Sequence, residues 1–165
     1  MKSPHILLLN KNTVELRREL AHILSKKSAA AFDADVKLNV LQLFSLGLEH
    51  LNFAGMLGPT NWRQIVSRSY YGAYSVSKSV RLAVNGQYSR EVKDHEKVGD
   101  LPDDFPDKNM YANRLRLLRD DRNLCDYDHT VREADLGMSS TDARALVMGL
   151  VGHARGYLRK RKYWV

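Results

Sequence analysis

Arg122 and His129 are the residues of this chain whose types and spacing best suit chemistry. They bound the run Arg122-Asn123-Leu124-Cys125-Asp126-Tyr127-Asp128-His129. That run lies late in a segment, 108–129, that reads as a helix with Leu115, Leu118 and Cys125 on one side. At ~100° per residue the path from Arg122 to His129 turns ~700°, about 20° short of two circles. The guanidinium and the imidazole therefore leave one helix face, ~10 Å apart along the axis. A fixed cation and a group that titrates near neutral pH, aimed the same way, suit phosphate chemistry. A purely structural alternative stays open: Arg122 pairs with Asp126, its i+4 neighbour, and His129 sits at the helix C-terminus, where the dipole favours a cation. Tyr127 is ~140° from Arg122 in projection, so an ideal helix favours His129 as the companion of Arg122.

The neighbouring acids give a competing reading. Asp120, Asp121, Asp126 and Asp128 with His129 supply metal-binding side-chain types, but on one helix they spread over several faces and match no known ligand spacing. No metal is expected. Asp120 or Asp121 is expected to shape the cleft instead. Tyr70, Tyr71 and Tyr74 with Trp62 either stack bases or fill the core, and Tyr71, off the main apolar face, best suits a polar role. Arg68 is a surface charge or a phosphate contact. The run from Arg155 to Trp164 interleaves basic and aromatic residues, as a nucleic-acid contact or as a solvated helix end. Cys125 reads as a small buried filler, since no sequence signal marks a paired base.

These groups need a scaffold, and the pattern supplies helices. Helical periodicity is legible over 13–27, 32–57, 62–84 and 108–129, and again from Ser139 or Ser140 onward. Gly58-Pro59-Thr60-Asn61 and Asn85-Gly86 carry stop and start signals. Residues 87–107 read as a long loop, a length that in a compact domain is functional or mobile. The first nine residues read as a short strand or a docked arm. No segment alternates like a strand and no repeat recurs, so the expected fold is all-α: a four- to five-helix up-and-down bundle. Residues 1–35 are expected to form an N-terminal extension with a helix docked on a domain spanning 36–165.

The chain has 165 residues, 44% of them hydrophobic, enough for one domain with a core. A net charge of +7 favours a polyanionic partner without naming one. One cysteine excludes an internal disulfide and a Cys-based zinc cage, and fits a reducing compartment. His5 to Leu9 is too short for a signal core, and no apolar run approaches the ~20 residues that span a bilayer. A soluble cytoplasmic protein is expected, with no membrane partner.

Two segments together resemble the HEPN family (higher eukaryotes and prokaryotes nucleotide-binding domain), small helical bundles of which many are RNases. Ser67-Arg68-Ser69-Tyr70-Tyr71-Gly72-Ala73-Tyr74 is similar to that family's Arg-x-x-Tyr-Tyr-Ala-Ala-Phe helix. Arg122-Asn123 through His129 is similar to its Arg-x(4–6)-His signature, with the polar residue that often follows the Arg. The likeness covers roughly 35–160, and the spacing is at the long end of the family range. Tyr127 falls where related toxin subunits carry a Tyr.

The resemblance implies a metal-independent endoribonuclease with no cofactor. His129 would be the base or acid, Arg122 the phosphate clamp, and Asn123, Tyr127, Asp121, Tyr71 and Arg68 the supporting or substrate-binding residues. The 2′-hydroxyl of RNA is the nucleophile, so the products would be a 2′,3′-cyclic phosphate and a 5′-hydroxyl. Two such helices meeting across a two-fold axis would pair an acid with a base, which implies a homodimer. A toxin of a toxin–antitoxin pair or a defence module is the implied setting, with any antitoxin or nucleotidyltransferase on a separate chain. The competing function is a catalytically silent HEPN-like module that binds RNA, a nucleotide or a nucleotidyltransferase partner. A helix-turn-helix regulator lacks its short helix spacing here.

Overall fold

The computed structural model describes residues 12–89 and 91–165, so the expectation for the first nine residues lies outside the described residues. The described chain is all-helical: α1 (Thr13–Glu19), α2 (Lys26–Met56), α3 (Trp62–Asn85), α4 (Lys108–Tyr127) and α5 (Ser140–Lys160). Short 3₁₀ turns join them at Leu20–His22, Pro59–Asn61, Val92–Gly99 and Glu133–Asp135. Among the described residues there is no strand; Asn12 and Gln87 form one isolated antiparallel bridge. No helix among them is long and apolar enough to cross a membrane.

The helix limits follow from capping chemistry. Ser25 accepts the Ser28 backbone N–H at 3.1 Å, so α2 starts at Lys26, six residues before the start that periodicity predicts. Ala29, Ala30 and Ala31, the best helix formers, carry the chain from its first turn into its second. Ser139 accepts the Asp142 N–H at 3.0 Å and starts α5 where the pattern predicts. Gly86 closes α3 at φ +65°, a left-handed value that favours glycine. Its carbonyl accepts the Thr13 N–H at 2.8 Å, which ties α1 to the end of α3.

Helix α3 is the centre of the bundle and packs against α2, α4 and α5. At the crossing with α2 two glycines let the backbones meet. A Cβ on Gly47 would stand 2.6 Å from Val76 Cγ2 and 2.9 Å from the Gly72 carbonyl. From Ser75 to Leu82 α3 is buried all round, polar residues included. Ser79 resolves its own burial by donating to the Val40 carbonyl at 2.8 Å. Lys78 and Arg81 require charged partners, and the segment after α3 supplies them.

That segment, expected as a long loop, is packed onto the bundle. Val98, Leu101 and Phe105 are buried in the core, at 0%, 4% and 4% exposure. The Val92–Gly99 turn lies against α3 and α4. Asp94 anchors it through Arg81 and Tyr74 of α3.

Helix α4 ends at Tyr127, two residues short of His129. Asp128 turns extended, at φ −105° and ψ 109°. Its carboxylate accepts the Thr130 N–H at 2.8 Å and the Thr130 hydroxyl at 2.7 Å, which holds the chain off the helical path. Arg63, from the first turn of α3, supplies the cap: it donates to the carbonyls of Cys125 (3.0 Å), Asp128 (2.7 Å) and Val131 (2.6 Å). The shared helical face for Arg122 and His129 therefore does not form, because the helix that would carry both stops between them.

Candidate active site

Arg122 sits at the floor of a cleft of about 640 Å³ between α3, α4 and the Val92–Gly99 turn. Helix α4 contributes Arg119, Arg122, Asn123 and Tyr127. Arg119, Asn123 and Tyr127 are four residues apart in turn, so they share one face, with Arg122 on its flank. Tyr71 closes the α3 side, and the turn brings His95 and Glu96.

Arg122 is 6% exposed. Its guanidinium carbon lies 4.7 Å from the Tyr70 ring centre and 5.1 Å from that of Tyr71. The electron-rich ring faces compensate part of the lost hydration. Nη1 reaches Asp126 Oδ2 at 3.5 Å, the i+4 pairing read from the sequence. Nε is buried and has no hydrogen-bond partner. An arginine so placed has donors its own fold does not fully satisfy.

His95 is the group that sequence reasoning missed. Its Nδ1 is 2.7 Å from the Tyr70 hydroxyl oxygen, and its ring stacks on Tyr74 at a 4.2 Å centroid distance and a 19° interplanar angle. Nδ1 is thus committed to Tyr70, which leaves Nε2 for a substrate. Burial, and then the positive charge of Arg122, push the imidazole pKa below its ordinary 6.5, against the opposing pull of Asp94. The imidazole is neutral at pH 7. Burial pushes the Tyr70 hydroxyl up to about 12, so it stays protonated.

An ion cluster behind the cleft fixes His95. Asp94, next in sequence, is 3% exposed and receives both Arg81 Nη atoms at 3.2 Å. The Tyr74 hydroxyl donates to it at 2.7 Å, and Lys78 Nζ is 3.5 Å away. Lys78 also donates to the Ser89 carbonyl and lies over the Tyr88 ring at 4.6 Å. Burial alone would push the Asp94 carboxyl up; the hydrogen bonds and charge of Arg81, with Tyr74 and Lys78, hold it below the usual carboxylate value. Two cations of α3 thereby clamp the turn that carries His95.

Of the residues singled out from sequence, Arg122, Asn123, Tyr127 and Tyr71 come together in this cleft, whereas Asp121, Arg68 and His129 do not line it. Asp121 is buried and accepts the backbone N–H groups of Gly137 (2.8 Å) and Met138 (3.1 Å), which ties the segment before α5 to α4. Arg68 is exposed, with its guanidinium 5.4 Å from the Phe53 ring centre. His129 is exposed on the bend after α4, and its carbonyl receives Arg63 at 3.4 Å. Cys125 is buried and free, and burial pushes its thiol up to about 11, as befits a filler. Tyr70 is core at 0% exposure, while Trp62 lies at the start of α3 with Arg63 over its ring. In the C-terminal segment, Tyr157 and Arg161 both bond Asp104, at 2.5 Å each, and Trp164 is exposed.

Arg119 also went unremarked in the sequence, although its place three residues before Arg122 on the same helix is a signal that could have found it. His95 had only a weak signal, a histidine inside a charged run between the two motif helices. Among the described residues, no three His, Cys, Asp or Glu side chains gather as a metal-ligand set. No protein family, no curated protein and no solved structure matches this chain.

Proposed function

We propose that the chain is a metal-independent endoribonuclease of HEPN type, with Arg122 as the clamp on the scissile phosphate. The observation that supports this reading most is the Arg122 guanidinium itself. It is buried over two tyrosine rings, incompletely partnered, and set on the floor of a cleft that also holds Arg119 and a neutral imidazole. Such a site suits a phosphodiester: the fixed fork matches phosphate oxygens and carries charge into a low-dielectric pocket. The 2′-hydroxyl of RNA supplies the nucleophile, so the chemistry needs positioning, a proton acceptor and charge stabilisation. The +7 net charge draws the polyanion in.

Partners follow from the same reading. Tyr127, 80% exposed at the cleft, offers a face on which a base stacks. Met110, Leu117 and Leu124 recur every seven residues along α4 and stay 42%, 39% and 38% exposed. That stripe suits the homodimer the family resemblance implies. A role as a cytoplasmic toxin or defence effector, with an antitoxin or nucleotidyltransferase on another chain, rests on the resemblance alone. One observation favours a second reading, a silent binding module for RNA, a nucleotide or such a partner: His129 lies off the helix that carries Arg122.

The test is to incubate the protein with a 5′-labelled RNA in EDTA, beside the same sequence with 2′-deoxy sugars. Cleavage of the RNA alone, leaving cyclic phosphate ends, is expected. RNA that is bound but stays intact at all protein concentrations overturns the nuclease reading in favour of the binding module.

A further inference from the structure

We propose that His95, outside the Arg–His motif, is the proton acceptor of this cleft, and that His129 is not. The inference rests on the ribonuclease reading above and assigns its missing base.

Three observations converge on it. His95 lines the same cleft as Arg122, whereas His129 does not. Tyr70 links the two groups: its ring lies under the Arg122 guanidinium and its hydroxyl meets His95 Nδ1 at 2.7 Å. The imidazole is also held in place from two sides. Its ring stacks on Tyr74, whose hydroxyl bonds the clamped Asp94 carboxylate. A base oriented by a neighbour that is itself buried and bonded is the arrangement proton transfer requires.

The step balances without an added reagent. With Nδ1–H donating to the Tyr70 hydroxyl oxygen, the unprotonated Nε2 of His95 takes the proton of the 2′-hydroxyl as the 2′-oxygen bonds to phosphorus. The bond from phosphorus to the 5′-oxygen breaks, and that oxygen takes a proton from water. The imidazolium then returns its proton to solvent. Arg122 balances charge on the non-bridging oxygens. The titratable and charged groups around His95 are Asp94 and Glu96 on its own turn, Tyr70, Tyr71, Tyr74 and Lys78 from α3, and Arg122 from α4. Burial, with the charges of Arg122 and Lys78, outweighs the pull of Asp94 and holds the His95 imidazole below its ordinary 6.5. Activity is expected to fall as the pH drops through that lowered value.

Cleavage of a ribo-oligonucleotide in EDTA, from pH 4.5 to 8, by the wild type, His95→Gln, His95→Asn and His129→Ala tests this. Asn keeps a polar atom near Nδ1 for Tyr70, and Gln places one near Nε2. An unchanged melting temperature in either variant keeps the test clean. We expect both His95 variants to lose about 100-fold or more, together with the acid limb of the pH profile. His129→Ala should retain the wild-type rate and profile. In parallel, inorganic phosphate should shift the His95 imidazole signal in NMR saturably and leave His129 unmoved. Wild-type rates in both His95 variants, with His129→Ala inactive, overturn the assignment and leave the nuclease reading standing. A wild type that cuts no RNA sinks both, and a phosphate response at His129 instead of His95 overturns the assignment without any appeal to turnover.

Discussion

Neutralising Asp94 should unclamp the cleft without touching it. Asp94→Asn keeps the side-chain shape but removes the charge that faces Arg81 and Lys78. Arg81 and Asp94 side chains are both 2% exposed, so the pair is fully withdrawn from water. Breaking a buried pair by removing one partner costs about 3–5 kcal/mol, since the remaining cation is stranded. At roughly 2–4 °C per kcal/mol for a domain of this size, the melting temperature should fall by about 6–20 °C. Differential scanning calorimetry reads this directly. The double variant Asp94→Asn/Arg81→Met should recover part of the loss, because it removes the stranded charge as well.

The pH dependence has a definite sign. The folded-state pKa of Asp94 lies below the ordinary value of 3.8, so its contribution is present above that value. It is lost as the pH falls from 3.8 through the folded pKa, and the gap between wild type and Asp94→Asn should narrow there. A melting temperature within 2 °C of wild type at pH 7 would refute the clamp. So would a double variant less stable than the single one by the full cost of the second change.

Two further outcomes follow from packing and exposure. Gly47→Val should destabilise the bundle by about 1–3 kcal/mol or more, since even a Cβ there meets Val76 and the Gly72 carbonyl within 3 Å; urea denaturation checks it. Tyr127→Ala should leave the fold intact, because the ring is 80% exposed. It should weaken RNA binding by about 1–3 kcal/mol, roughly 5- to 150-fold in Kd, read by fluorescence anisotropy at fixed salt.

Much of this architecture is written locally, and the exceptions have physical causes. Helix α3 announces itself through apolar spacing and the Gly86 stop, and α5 through its Ser139 cap. The end of α4 does not. No Gly or Pro stands directly after Tyr127, and the cap comes from Arg63, more than sixty residues earlier in the chain. A helical projection carried past Tyr127 therefore aligned Arg122 with His129 on a face that does not exist. The packing of residues 91–99 is not legible for a related reason. Their charges suggest a solvated loop, but Asp94 is paired with two cations of α3 that the periodic pattern alone would have left unexplained. The burial of Lys78 and Arg81 among serines and valines requires an acid from elsewhere in the chain, and Asp94 is that acid. That Arg122, Asn123, Tyr71 and Tyr127 could meet was legible because their helices are regular there; the place of His95 in the same cleft was not, because long-range pairing sets it.

The central claim is that the Arg122 guanidinium clamps the scissile phosphate. Its most direct measurement is the single-turnover cleavage rate of Arg122→Lys on a ribo-oligonucleotide in EDTA, with Arg119→Gln as the neighbouring control. Lysine keeps the positive charge but loses the planar fork. A loss of about 100- to 1,000-fold in Arg122→Lys, with its melting temperature within a few degrees of wild type and Arg119→Gln far less affected, is the expected result. A folded Arg122→Lys that cuts RNA at the wild-type rate would contradict the claim, and the buried guanidinium would then be a packing element between Tyr70 and Tyr71.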